Sequence, residues 1–121
     1  MEHGGAKHHR QRVSEALRDE ISTLIEGELA DPRIGLATVS EVQISPDGRT
    51  ARVFVAVLGD DKEAERTMEG LNAARQYMRR EVAERLGLRQ APELLFQIDR
   101  SEQIGARVEE LLGRLNKRQK K

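Results

Sequence analysis

At 121 residues the chain has room for one hydrophobic core. It contains no cysteine, which excludes a disulfide framework and a thiolate metal site. No apolar run approaches the roughly 18 residues of a membrane span, and the first residues lack the apolar core of a signal peptide, so a soluble, cytoplasmic protein is expected. The 21 basic and 21 acidic side chains balance, yet they are sorted along the chain. Residues 1–12 and 75–89 are net basic, residues 13–74 hold six cations against thirteen anions, and 114–121 carry five cations and no acid. Such sorting suits cationic surfaces turned toward an anionic polymer while another face stays acidic.

Residues 1–9 are polar and Gly-containing and are expected to be flexible. From Val13 the apolar positions run Val13, Leu17, Ile21, Leu24, Ile25 and Leu29, steps of three and four that make one face of a helix. Asp31-Pro32-Arg33 ends it, because the residue before a proline is pushed out of the helical region. Residues 37–44 are rich in β-branched side chains. The sequence Ser45-Pro46-Asp47-Gly48 then supplies a tight turn, and residues 50–58 alternate as a second strand, predicting an antiparallel hairpin. Val39 is out of step with Val42 and Ile44, which predicts a bulge in the first strand.

Gly59-Asp60-Asp61 can close the hairpin and cap a helix. Ala64, Met68, Leu71, Ala74, Met78, Val82 and Leu86 keep a helical period up to a stop at Gly87. Pro92 precedes a short third strand at 94–98, and Ser101 can cap a last helix bearing Ile104, Val108, Leu111, Leu112 and Leu115. The element order is α-β-β-α-α-β-α. A third strand reached through a helical crossover must join the hairpin to bury its apolar face. The expected fold class is therefore α+β: a three-stranded sheet packed with helices, KH-like with the prokaryotic type of topology. A single domain is assigned to 10–116, with a basic tail at 117–121.

Several segments in this order resemble the ribosome-binding factor A family. They are Arg12-Val13 and the helix end Leu29-Ala30-Asp31-Pro32-Arg33; the hairpin Val42-Gln43-Ile44-Ser45-Pro46-Asp47; Ala74-Arg75-Gln76-Tyr77-Met78-Arg79; and Leu88-Arg89, Pro92-Glu93-Leu94, Phe96, Asp99, Ser101 and Gly105. The resemblance implies a KH-type fold, in agreement with the element order. In the family the central helix pair bends at an Ala-x-Gly element. Here Ala74, Arg75 and Gln76 occupy that element, and without glycine the backbone loses its cheapest route to a sharp kink. Packing is expected to bend the helix near residues 75–76 even so.

A GxxG loop, the clamp of common KH domains, is absent, since no two glycines lie three apart. Aromatic residues are Phe54, Tyr77 and Phe96 alone; the two phenylalanines lie on strands and are assigned to the core. A base-stacking platform is not expected, which leaves phosphate and shape recognition by cations. Three candidate surfaces follow. Arg75, Arg79 and Arg80 flank the expected bend, where a helix N-terminus would add N–H donors. Arg80 has an acidic neighbour one turn away in Glu84, whereas Arg75 and Arg79 have none; the plainer alternative is a solvated helix face. Lys7, Arg10 and Arg12 oppose the dipole of the first helix, a conflict that a phosphate would relieve, unless the terminus is merely frayed. Lys117, Arg118, Lys120 and Lys121 would form an electrostatic tether, although cations at a helix end already suit its dipole. Arg33 is expected to anchor its turn through a carboxylate, and Arg49 and Arg52 read as ordinary exposed residues.

His3, His8 and His9 lack the second layer of groups that orients metal ligands. No acid/base pair is placed by pattern, so neither a metal, a cofactor nor catalysis is expected. The resemblance implies a non-enzymatic assembly factor. It would bind the immature small ribosomal subunit and its ribosomal RNA as a monomer, support 5′-end processing, and meet other assembly factors, a GTPase among them. A KH-like domain for another structured RNA, or a protein adaptor using the acidic face of 13–74, are the alternatives.

Overall fold

The computed structural model describes residues 2–99 and 112–114, with side chains from residue 9 onward. A long helix α1 (Glu2–Thr23) passes into a single π turn (Leu24–Glu28), and a hairpin follows, β1 (Ala37–Ile44) and β2 (Thr50–Val57). Two helices, α2 (Asp61–Ala73) and α3 (Arg75–Leu86), then lead to β3 (Glu93–Ile98). Residues 112–114 are helical; the rest of the expected last helix lies outside the described residues. The strands form one sheet in the order β1-β2-β3. β1 and β2 pair antiparallel and β2 and β3 parallel, so the crossover strand lies on the far side of β2 from β1. The α+β architecture expected from the sequence is the one observed. α1 starts at Glu2, ahead of its first apolar core position, Val13.

One face of the sheet carries Val39, Val42, Ala51, Val53, Val55 and Leu94, and onto it pack Leu17, Ile21, Leu24 and Ile25 from the first helix, Leu71 from α2, and Met78 and Val82 from α3. Val39 and Val42 both reach this core although they are three residues apart. The register shifts between Val39 and Glu41, so Ser40 is the extra residue that restores the inward alternation. Its hydroxyl donates to the Phe54 carbonyl at 3.2 Å. Phe96 packs against the core, as expected. Phe54 pairs with Glu41 and Gln97 on the opposite face and is only half-buried, because the alternation of β2 turns it away from Val53 and Val55.

The π turn was not foreseen. Its bond runs from the Leu29 N–H to the Leu24 carbonyl at 2.9 Å. The wider turn accompanies burial of the consecutive pair Leu24 and Ile25. The loop after it docks on α2 by backbone contact. The Gly35 N–H donates to the Thr67 hydroxyl at 3.1 Å, and a Cβ at Gly70 would stand 2.6 Å from Cγ1 of Ile34, so only glycine permits this approach.

Asp60 caps α2, its carboxylate accepting from the Glu63 N–H at 2.9 Å. Gly87 ends α3 in the left-handed region with φ 64°. Between these ends the helix breaks at Ala74, with φ −88° and ψ 0°. That is the bridge region, open to any L-residue, and among the described residues none other than glycine takes a positive φ. The bend therefore forms without glycine, one residue before the expected position.

Candidate nucleic-acid interface

Three chain segments meet at the hairpin-turn end of the sheet. The middle of α1 brings His9, Arg10 and Val13, the β1–β2 turn brings Ile44 and Gly48, and the α3–β3 loop brings Leu88, Gln90 and Pro92, around a cleft of about 160 Å³. The turn is built by its own side chains. The Ser45 hydroxyl meets the Asp47 carboxylate at 2.6 Å, and Asp47 accepts the Arg49 N–H at 3.0 Å. These bonds, the hydroxyl first and the N–H second, hold the Asp47 carboxyl below its ordinary value. The loop is tied to the turn by the Glu93 N–H, which donates to the Arg49 carbonyl at 2.8 Å. Each segment thus carries an arginine to the same end: Arg10, Arg49 and Arg89. Arg12 lies two residues from Arg10, exposed like Arg49 and Arg89. None of the four makes an ion pair or side-chain hydrogen bond with the described residues. Arg52 lines an adjoining hollow beside Pro46.

Sequence reasoning had treated Arg49 and Arg52 as unremarkable and had not singled out Arg89. The signal is tertiary: the turn and the α3–β3 loop are 40 residues apart at positions 49 and 89, and only the parallel pairing of β2 with β3 joins them.

The expected cluster at the helix break is divided by the structure. Arg79 spreads its fork on a backbone carbonyl, with Nε 3.1 Å and Nη2 2.9 Å from the Ala91 oxygen. Its lack of an acidic helical neighbour therefore does not leave it free; it fixes the loop that leads into β3. Arg80 is exposed and makes no ion pair with Glu84, contrary to the partner expected from spacing. Tyr77, one turn before it, is 42% exposed. Arg75 opens α3, whose first turn has no acid, and its buried Nε has no hydrogen-bond partner. Through Arg79 and Ala91 the start of α3 connects to Pro92 in the wall of the cleft, so two of the three expected surfaces are linked. The side chain of Lys7, and Lys117, Arg118, Lys120 and Lys121, lie outside the described residues.

Three other arginines are occupied elsewhere. Arg85 reaches Glu28, Glu81 and Glu20 at 2.5, 3.1 and 3.5 Å, which raises its already high pKa, Glu28 foremost. Arg114 pairs with Glu26 and donates to the Ala37 carbonyl at 3.1 Å, at the end of β1 away from the hairpin turn. Arg33 binds Asp31 through both Nε and Nη2, at 3.1 and 2.7 Å, as expected for an anchor of its turn. A further groove of about 480 Å³ between α2 and β3 is lined by Asp61, Glu65, Glu69, Met68 and Ile98. Its carboxylates would repel phosphate. Among the described residues no cluster of histidine or acid is placed to hold a metal ion, and no helix is long and apolar enough to cross a membrane.

The family model of ribosome-binding factor A matches residues 9–112. The chain belongs to the ribosome-binding factor A family. It is 61% identical over 120 residues to ribosome-binding factor A of Koribacter versatilis, covering 99% of this chain and 98% of that one. Against the Desulfitobacterium hafniense protein it is 44% identical over 107 residues, covering 88% and 86%. Among solved structures, the crystal structure of ribosome-binding factor A from Thermus thermophilus superposes with a TM-score of 0.68 at 27% identity, over 77% of this chain and 98% of that one. Thermus thermophilus ribosome-binding factor A as fitted into a cryo-EM map of its 30S complex gives a TM-score of 0.56 at 29% identity, over 77% and 93%. Family membership makes the chain a ribosome-binding factor of ribosome biogenesis.

Proposed function

We propose that the chain is a non-enzymatic assembly factor that grips the immature small ribosomal subunit through its ribosomal RNA and supports maturation of that RNA, including its 5′ end. The observation that carries this reading is the hairpin-turn end, where three segments present arginines without carboxylate partners. Guanidinium forks suit phosphate oxygens, and a cationic end opposite an acidic groove orients the domain on a polyanion. The start of α3, with Arg75, Tyr77 and Arg80, extends the same contact. Holding one conformation of the RNA and then leaving requires no chemistry. Action as a monomer, and release by other assembly factors including a GTPase, belong to the same proposal. The acid-lined groove favours a second role, contact with a basic segment of another protein.

The test is co-sedimentation of the purified chain with immature small subunits and with mature whole ribosomes, over a range of salt. The expected result is binding to the immature particle with an affinity that falls steeply with salt, as release of phosphate counterions requires. Equal binding to mature ribosomes, or an affinity indifferent to salt, would refute it.

A further inference from the structure

The cleft at the hairpin-turn end has features that phosphate binding does not use. Its floor is apolar, formed by Val13, Ile44, Leu88 and Pro92. Val13, Ile44 and Leu88 pack directly against the core, so the floor is rigidly backed. Ala91, whose carbonyl holds the Arg79 fork, fixes the approach to Pro92. Its polar components are the Gln90 amide, the His9 ring and Arg10. A space of about 160 Å³ is well below the roughly 300 Å³ at which pockets for drug-sized ligands begin. It accommodates one flat ring system.

We infer that this cleft receives a single unpaired base of the bound RNA, its faces against the apolar floor and its polar edge on Gln90. The inference rests on the reading above and deepens it. The size of the cleft limits the guest to one ring system. An apolar floor with an amide at its side matches a base, whose faces are apolar and whose edge carries donors and acceptors. A glutamine amide offers both a donor and an acceptor to that edge. Arg10 lines the cleft, and Arg49 and Arg89 adjoin its lining residues Gly48, Leu88 and Gln90 in sequence, within reach of phosphates flanking an extruded nucleotide; sequence recognition in structured RNA works through such splayed bases. The absence of a GxxG clamp and of an aromatic platform leaves the expectation of pure phosphate recognition incomplete: an aliphatic slot can take a base without either.

The experiment measures affinity for immature small subunits across a salt series for the wild type, Gln90→Ala, Leu88→Trp and the pair Arg49→Glu with Arg89→Glu. Filling the slot with tryptophan or removing the amide should each weaken binding by roughly tenfold, with the salt slope parallel to that of the wild type. The arginine pair should weaken binding and flatten the slope. If Gln90→Ala and Leu88→Trp bind within twofold of wild type while the arginine pair fails, the base inference is overturned and the phosphate reading stands. Failure of the wild type itself to bind would overturn both. Thermal melts accompany each variant, and if Leu88→Trp does not fold, Gln90→Ala decides alone, because Gln90 is exposed.

Discussion

The hairpin-turn end and the flank where α1, the π turn and α3 meet use the same residue type for opposite ends. On the flank, Arg85 is surrounded by Glu20, Glu28 and Glu81, and Arg114 is held by Glu26. The π turn divides its residues between the two tasks of that region, turning Leu24 and Ile25 into the core and offering Glu26 and Glu28 to the arginines. At the hairpin-turn end, Arg10, Arg12, Arg49 and Arg89 have no such partners among the described residues. The lone acid of that turn, Asp47, is occupied by Ser45 and a backbone N–H. On the proposed reading, an arginine at this end is left available to RNA because the fold brings no acid to it. Its position in a basic stretch of sequence does not decide the matter.

Charge reversal at the two regions gives the largest expected contrast. The triple change Arg10→Glu, Arg49→Glu and Arg89→Glu should lower affinity for immature small subunits by about 100-fold near 0.1 M salt, with only a small fall in melting temperature from the lost attraction between Arg49 and Asp47. Arg85→Glu should leave affinity untouched. Equal loss of binding from both would erase the distinction between the regions.

Arg79 tests the boundary between the two uses, since it ties the loop beside the hairpin-turn end and yet is anchored like a structural residue. Arg79→Ala removes both bonds to the Ala91 carbonyl and should cost about 1–3 kcal/mol in urea unfolding. Arg79→Lys keeps the charge and loses the planar fork. If Arg79 serves mainly to position the loop, the lysine variant loses stability nearly as the alanine variant does and shows no loss of salt slope.

Arg85→Glu, neutral for binding, should lower the melting temperature by placing a fourth carboxylate among three. The deficit should shrink as salt is added, because repulsion between partly exposed charges is screened. A deficit that persists at high salt would mean that the arginine stem matters more than its charge.

Much of the scaffold is legible in the sequence because its causes are local. The bulge follows from Val39 and Val42 sharing a face at odd spacing, the α2 cap from Asp60, the end of α3 from Gly87, and the Arg33 anchor from an acid two residues away. The site is only half legible. Arg10 and Arg12 stand out in a basic stretch, but the helix-dipole reason for them fails because α1 begins at Glu2 and leaves both beyond its first turn, and Arg49 and Arg89 become neighbours only through the β2–β3 pairing. The partner of Arg79 is a carbonyl twelve residues on, and two of the three partners of Arg85 are 57 and 65 residues away; helical spacing reveals only its third, Glu81. The π turn is equally hidden, since Leu24 and Ile25 fit an ordinary apolar stripe.

The two turn carboxylates carry the comparison to its finest scale. Asp31 lies on the guanidinium of Arg33, and that bond, followed by the Arg33 N–H, lowers its pKa from 3.8 to about 2. Asp47 is lowered chiefly by a hydroxyl, and the Arg49 guanidinium is left to the solvent. A carboxyl with a depressed folded-state pKa adds stability that is complete above the unfolded value and disappears as pH falls through the folded one. The Asp31 contribution is therefore present above about pH 4 and gone below about pH 2. Asp31→Asn should be less stable than wild type at neutral pH, with a shallower loss between those limits, so that urea midpoints of the two proteins converge in acid. Asp47→Asn should instead leave Arg33 and its turn intact while weakening the hairpin turn, and so disturb RNA affinity as well as stability. If both variants altered affinity equally, the separation between arginines held by acids and arginines left for RNA would not extend to the turns that carry them.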